Sequence, residues 1–100
     1  MEHNINISGN GATVTLSGRF TFTDNKDFRD ILSKFEEGIL NCTLDVKNLE
    51  FIDSAGLGMI ILANDTVSDN GGSFILRSPQ GQVRKMLELT RFGDIITVEN

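Results

Sequence analysis

The chain opens with two runs in which apolar and polar residues alternate. Asn4-Ile5-Asn6-Ile7-Ser8 and Ala12-Thr13-Val14-Thr15-Leu16-Ser17 flank Gly9-Asn10-Gly11. A period of two belongs to a half-buried strand, and a short glycine-containing connection joins two such strands into an antiparallel hairpin. The period then changes. Phe28, Ile31, Leu32, Phe35 and Ile39 recur at helical spacing, while Lys26, Arg29, Asp30, Lys34 and Glu36 fall on other faces. Thr23 or Asp24 is placed to cap this helix and Gly38 to stop it, with Phe20 and Phe22 expected in the core and as a staple at its start. Cys42-Thr43-Leu44-Asp45-Val46 returns to strand spacing. A second helix is predicted from Ser54 to about Ser68, ahead of Gly71-Gly72. Ser73-Phe74-Ile75-Leu76 is apolar enough for an interior strand. Val83, Met86, Leu87 and Leu89 mark a third, short helix over 82–89, and Asp94-Ile95-Ile96-Thr97-Val98 a closing strand.

The resulting order is ββαβαβαβ. Strands alternating with helices imply crossover units on a largely parallel sheet, and the opening hairpin adds an antiparallel edge. An α/β fold with four or five strands and two or three helices fits 100 residues. A chain of this length supports one domain, 1–100, burying about 60–70% of its unfolded surface. The sequence contains no internal repeat, low-complexity tract or linker, and Pro79 is its only proline.

Composition narrows the function. Hydrophobic residues make up 39% and charged residues 23%, which suits a globular protein rather than a disordered one. The net charge of −5 repels phosphate backbones, and the Lys and Arg residues never cluster in more than a pair, so nucleic acid is not expected as a direct ligand. Arg84-Lys85, one such pair, is read as a solvated face. Cys42 is the only cysteine, which excludes an internal disulfide and a multi-cysteine zinc site and is expected as a core thiol. Met1-Glu2-His3-Asn4 lacks the basic start and apolar run of a signal peptide. The longest unbroken apolar run, Met59 to Ala63, is far short of the roughly 20 residues of a membrane span. A cytoplasmic protein without membrane insertion is expected.

Catalysis lacks its parts. The one histidine, His3, lies near the start of the sequence, and a Ser-His-Asp site would need it deep in a cleft. There is no Gly-x-Ser-x-Gly elbow, and Gly56-Leu57-Gly58 lacks both the third glycine of a dinucleotide fingerprint and a phosphate-loop lysine. No cluster has metal-ligand spacing. No catalytic residue, metal or cofactor is expected.

The informative stretch is Leu49-Glu50-Phe51-Ile52-Asp53-Ser54-Ala55-Gly56-Leu57-Gly58-Met59-Ile60. A strand ends on Phe51-Ile52, and Asp53 and Ser54 take the first positions of a helix. Both residue types accept a bond from an unpaired N–H there, so the pair serves any helix start. Asp53 is placed either to cap or to orient the Ser54 hydroxyl. Leu57, Ile60, Ile61 and Asn64 share the side expected on the sheet, while Met59 and Leu62 lie off it. Those two are covered by a neighbouring helix or form an apolar rim for a partner beside Ser54.

Asp53-Ser54-x-Gly56-Leu57-Gly58 at a strand-to-helix turn resembles the signature of the STAS family, named for sulfate transporters and anti-sigma factor antagonists. The element order, Leu16-x-Gly18 at the end of the second strand, and Val83-Arg84-Lys85-Met86-Leu87 followed by Phe92 extend the resemblance over essentially the whole chain. In that family the serine directly after the aspartate is the phosphoacceptor, which maps onto Ser54. Many members carry a second hydroxyl at the next position, where this chain has Ala55, so the acceptor is expected to be Ser54 alone. The resemblance implies a partner switch. The unmodified protein binds an anti-sigma factor that is also a serine kinase of the histidine-kinase-like ATPase type. Phosphorylation breaks that complex, and a serine phosphatase restores the unmodified form. The expected partner surface is Asp53, Ser54, Ala55, Gly56, Gly58, Met59 and Leu62. The alternative within the family is a subunit that docks on the ATPase of an ABC-type lipid transporter.

Overall fold

In the structure, a computed structural model that describes residues 1–35 and 38–100, the opening alternation forms the pair β1 (Glu2–Ser8) and β2 (Gly11–Phe20). Then follow α1 (Asn25–Phe35), β3 (Asn41–Ile52), α2 (Ser54–Asp69), β4 (Ser73–Arg77), α3 (Gly81–Leu89) and β5 (Thr97–Glu99). The five strands lie in sequence order, β1-β2-β3-β4-β5. β1 is antiparallel to β2, and every later pair is parallel. This is the expected α/β order with its antiparallel edge. Glu36, expected on a polar face of the first helix, lies outside the described residues.

The strand alternation decides which face is buried. Val14, Leu16 and Phe20 of β2, Leu44, Val46 and Ile52 of β3, and Phe74 and Leu76 of β4 point into one cluster with Phe28 and Ile31 of α1, Ile60 and Val67 of α2, and Val83 and Leu87 of α3. Phe20 and Phe28 meet with ring centroids 4.9 Å apart. Full burial of each such side chain is worth about 1.5–3 kcal/mol. The opposite face carries half-buried Thr13, Thr15, Thr43, Asp45 and Arg77, and there Arg77 Nη2 donates to Asp45 Oδ2 at 3.0 Å. Parallel sheets are usually covered on both faces; here the uncovered face is polar instead.

Three local expectations are corrected and one is extended. β3 runs unbroken from Asn41 to Ile52, joining the alternation over 42–46 to the strand end at Phe51-Ile52, because its pairing with β2 continues through two register shifts, at Thr15/Ser17 and Gly18/Arg19. Those shifts break the period of two that marks a strand in sequence. The closing strand starts at Thr97 rather than Asp94: Phe92–Asp94 forms a 3-10 turn, in which the Ile96 amide donates to the Phe92 carbonyl at 3.0 Å. Leu89, expected on the apolar side of α3, is exposed. Phe22 is also on the surface, 68% exposed, not a core or staple residue. The chain turns at Thr21, two residues earlier than expected, and Phe22–Asp24 is a 3-10 turn. The Asp24 carboxylate accepts the Thr21 N–H at 2.9 Å, and the Asp24 N–H returns to the Thr21 carbonyl at 2.9 Å. That frame puts Phe22 outward.

No described helix is long and apolar enough to cross a membrane. Cys42 sits in β3 at 2% exposure, and burial alone pushes its thiol up to about 12. The thiolate is the reactive form. Cys42 should therefore resist iodoacetamide at pH 8 in the folded protein and react fully in denaturant. Rapid labelling of the folded chain, read by mass spectrometry, would contradict this placement.

Candidate functional site

Beyond Asp45, β3 has lost its pairing with β4, whose last partner is Arg77, so one edge of its C-terminal half is open. Gln82 of α3 fills part of that gap. Its Oε1 accepts the Ile52 N–H at 2.9 Å and its Nε2 donates to the Ile52 carbonyl at 3.0 Å. A side-chain amide thus replaces a strand neighbour at the last residue of β3. The preceding side chain, Phe51, lies under the Arg19 guanidinium, 4.2 Å from its ring centroid.

Asp53 follows in extended backbone, with φ −103° and ψ −179°, and caps α2. Its N–H donates to the Phe20 carbonyl at 3.2 Å, and its own carbonyl accepts the Leu57 N–H at 3.1 Å. The carboxylate divides between two elements. Oδ1 accepts the Gly56 N–H at 2.8 Å, inside the first turn of α2, and Oδ2 accepts the Phe22 N–H at 3.1 Å, from the turn before α1. Asp53 therefore caps the helix rather than orienting the Ser54 hydroxyl.

Ser54 opens α2 and is exposed. No charged residue of either sign lies in the first turn of the helix. Ser54, Gly58 and Leu62 recur every four residues and form an exposed stripe, with Leu62 at 39% exposure and Ala55 half-buried beside it. Leu62 also lines a groove of about 140 Å³ between α1 and α2, with Arg29, Leu32, Ser33 and Thr66.

Met59 is corrected: at 7% exposure it belongs to the core and not to a rim. The buried side of α2 is Gly56, Leu57, Met59, Ile60, Ala63 and Val67, whereas Ile61 and Asn64 are only half-buried. The helix rests on the sheet and also packs on α1, so two neighbours bury a wider arc than one would. The two motif glycines differ sharply. A Cβ on Gly56 would sit 2.7 Å from Ile52 Cγ1 and 2.9 Å from the Phe20 carbonyl oxygen, so Gly56 lets the helix seat directly on the ends of β2 and β3. A Cβ on Gly58 would meet nothing within 4 Å.

The family model of the STAS domain matches residues 3–100. The chain belongs to the STAS family. It is 28% identical over 90 residues, 90% of its length and 89% of the relative's, to a STAS-domain containing protein of Pseudomonas aeruginosa. It is 34% identical over 71 residues to a protein of Thermotoga maritima named as an anti-sigma factor antagonist; the match spans 71% of this chain but 60% of that one. Among solved structures, a Thermotoga maritima protein described in the same words superposes with a TM-score of 0.87 at 23% identity, covering 98% of this chain and 86% of the other. The anti-sigma factor antagonist SpoIIAA in its unphosphorylated form gives 0.78 at 18% identity, covering 99% and 88%. The phosphorylated form of the Bacillus protein SpoIIAA gives 0.75, covering 99% and 92%. At these identities the likeness to solved structures concerns the fold.

On this STAS scaffold the turn at Asp53-Ser54 brings together Asp53, Ser54, Ala55, Gly58 and, two turns along, Leu62. Gly56 and Met59 lie beneath them. Sequence reading missed two residues. Gln82 carried no signal, because a glutamine at a helix start has many uses. Phe22 did carry one: Thr21-x-x-Asp24 is close to a capping box and fixes the frame that exposes position 22.

The glycine contrast is testable. Gly56→Ala should destabilise the domain by about 1–3 kcal/mol through overpacking against immobile backbone. Gly58→Ala should stabilise it by about 0.5–1 kcal/mol, as expected for an exposed helical glycine. Urea denaturation of both variants decides, and the reverse order would refute the seating of α2.

Proposed function

We propose that this STAS protein is a phosphorylation-switched anti-sigma factor antagonist with Ser54 as its single acceptor. The unmodified form binds an anti-sigma factor that is also a serine kinase of the histidine-kinase-like ATPase type and so frees the factor's target. Phosphorylation of Ser54 breaks the complex, and a serine phosphatase resets it. The observation that carries this reading is an exposed serine on the first turn of α2, in the family's motif, heading a stripe that ends in exposed Leu62. Relatives named as anti-sigma factor antagonists support it.

The physics of the site fits a switch that spares the fold. A phosphate adds about −1.5 to −2 charges at neutral pH. At Ser54 it meets the positive end of the α2 dipole, a favourable contact of roughly 0.3–1 kcal/mol. The same anion in an interface stands beside Asp53, on a chain of net charge −5. Burying it there without a cationic partner costs several kcal/mol, which is two or more decades in affinity. One modification thus leaves the domain folded and removes the complex.

Incubation with the serine kinase and ATP should add one phosphate, and Ser54→Ala should abolish it. Phosphate on Thr66, Ser68 or Ser78 would overturn the assignment. Ser54→Asp should keep the fold and weaken binding only partly, because one carboxylate carries less charge and fewer acceptor oxygens than a phosphate. Leu62→Lys should weaken binding with thermal stability nearly constant; an unfolded variant would place Leu62 in the core instead. Amide shifts of modified and unmodified protein should differ around the Asp53 turn alone. Changes spread over β1 and β5 would indicate a conformational switch.

A further inference from the structure

Phe22 is a large aromatic side chain left 68% exposed in a chain whose Phe20, Phe28, Phe35, Phe74 and Phe92 are all buried. Its backbone is not loose. The Phe22 N–H is held by Asp53 Oδ2 at 3.1 Å, the turn is closed by the reciprocal bonds of Thr21 and Asp24, and the Thr21 and Thr23 hydroxyls lie 2.9 Å apart. The carboxylate that holds Phe22 also holds the Gly56 N–H next to Ser54. The ring is therefore carried on the same rigid unit as the acceptor serine. An exposed ring on a fixed backbone loses little entropy on docking, and such aromatics dominate binding energy when they enter a pocket.

We infer that Phe22 is a second anchor of the docking surface: its ring enters an apolar pocket on the protein that covers Ser54, because the Asp53 carboxylate that caps the Ser54 helix also holds the Phe22 N–H. The inference rests on Ser54 as the centre of docking. It adds to that reading that the partner straddles two elements, the start of α2 and the turn before α1, and is not confined to one helix.

The test places the photo-crosslinking residue benzoylphenylalanine at position 22, at position 62 and at exposed Leu89 of α3, one at a time, in the native cell. Positions 22 and 62 should capture the same protein, Leu89 should not capture it, and adding Ser54→Asp should reduce both adducts. With the captured protein purified, Phe22→Ala should lower its affinity by about 30-fold and Phe22→Leu by less, with thermal midpoints unchanged. No adduct at 22, a different protein from that at 62, or an adduct of twice the chain's mass, meaning a second copy, overturns the proposal. If both positions capture one protein that is not a serine kinase, the proposed function fails and the anchor stands.

Discussion

The Asp53 carboxylate is the interaction on which the site depends. It has two oxygens and spends them on two elements, one on the first turn of α2 and one on the turn ahead of α1. Its main chain completes the tie, with its N–H on the last residue of β2. Hydrogen bonds to a charged acceptor are stronger than neutral ones, and here they join segments distant in sequence. Without this carboxylate, Ser54 would ride on a fraying helix end. With it, the serine occupies a fixed place relative to the sheet, and so does Phe22.

Beneath that tie lies a packing condition. Helix α2 can present Ser54 at the sheet's end only if its first turn comes down onto the Phe20 carbonyl and the Ile52 side chain, and Gly56 permits that approach. Gln82 steadies the same spot from the other side by pairing with both backbone groups of Ile52. The motif is thus partly buried carpentry and partly surface. Asp53 and Gly56 build the seat, while Ser54 and Gly58 face outward. A contiguous run of motif residues does not make a contiguous surface, because a helix turns about 100° per residue.

This division explains what was legible beforehand. The hairpin, α1 and β4 follow from simple periods, since the apolar residues of each keep one spacing throughout. The continuity of β3 between Val46 and Phe51 did not, because its register shifts with β2 interrupt the alternation. Met59 was misplaced for a related reason. Periodicity reports how wide an apolar arc is, but not which elements cover it, and α2 is covered by both the sheet and α1. The position of Ser54 was readable from the motif. The exposure of Phe22 depended on a frame shift of two residues in the preceding turn, and a hydrophobic residue before a helix reads as a staple unless that frame is known.

The same geometry constrains how the site could act on a partner. A bistable mechanism requires an element with two comparable packings. The elements around Ser54 offer little of that kind: β3 is fixed at its end by Gln82, α2 is seated without clearance at Gly56, and the turn before α1 is closed by bonds from Thr21, Asp24 and Asp53. What remains free is the outward surface, an exposed hydroxyl beside a bare glycine backbone, with apolar groups at Leu62 and Phe22. A site so held has one economical means of changing its affinity, which is to alter the charge and bulk of that surface while the framework beneath it stays still.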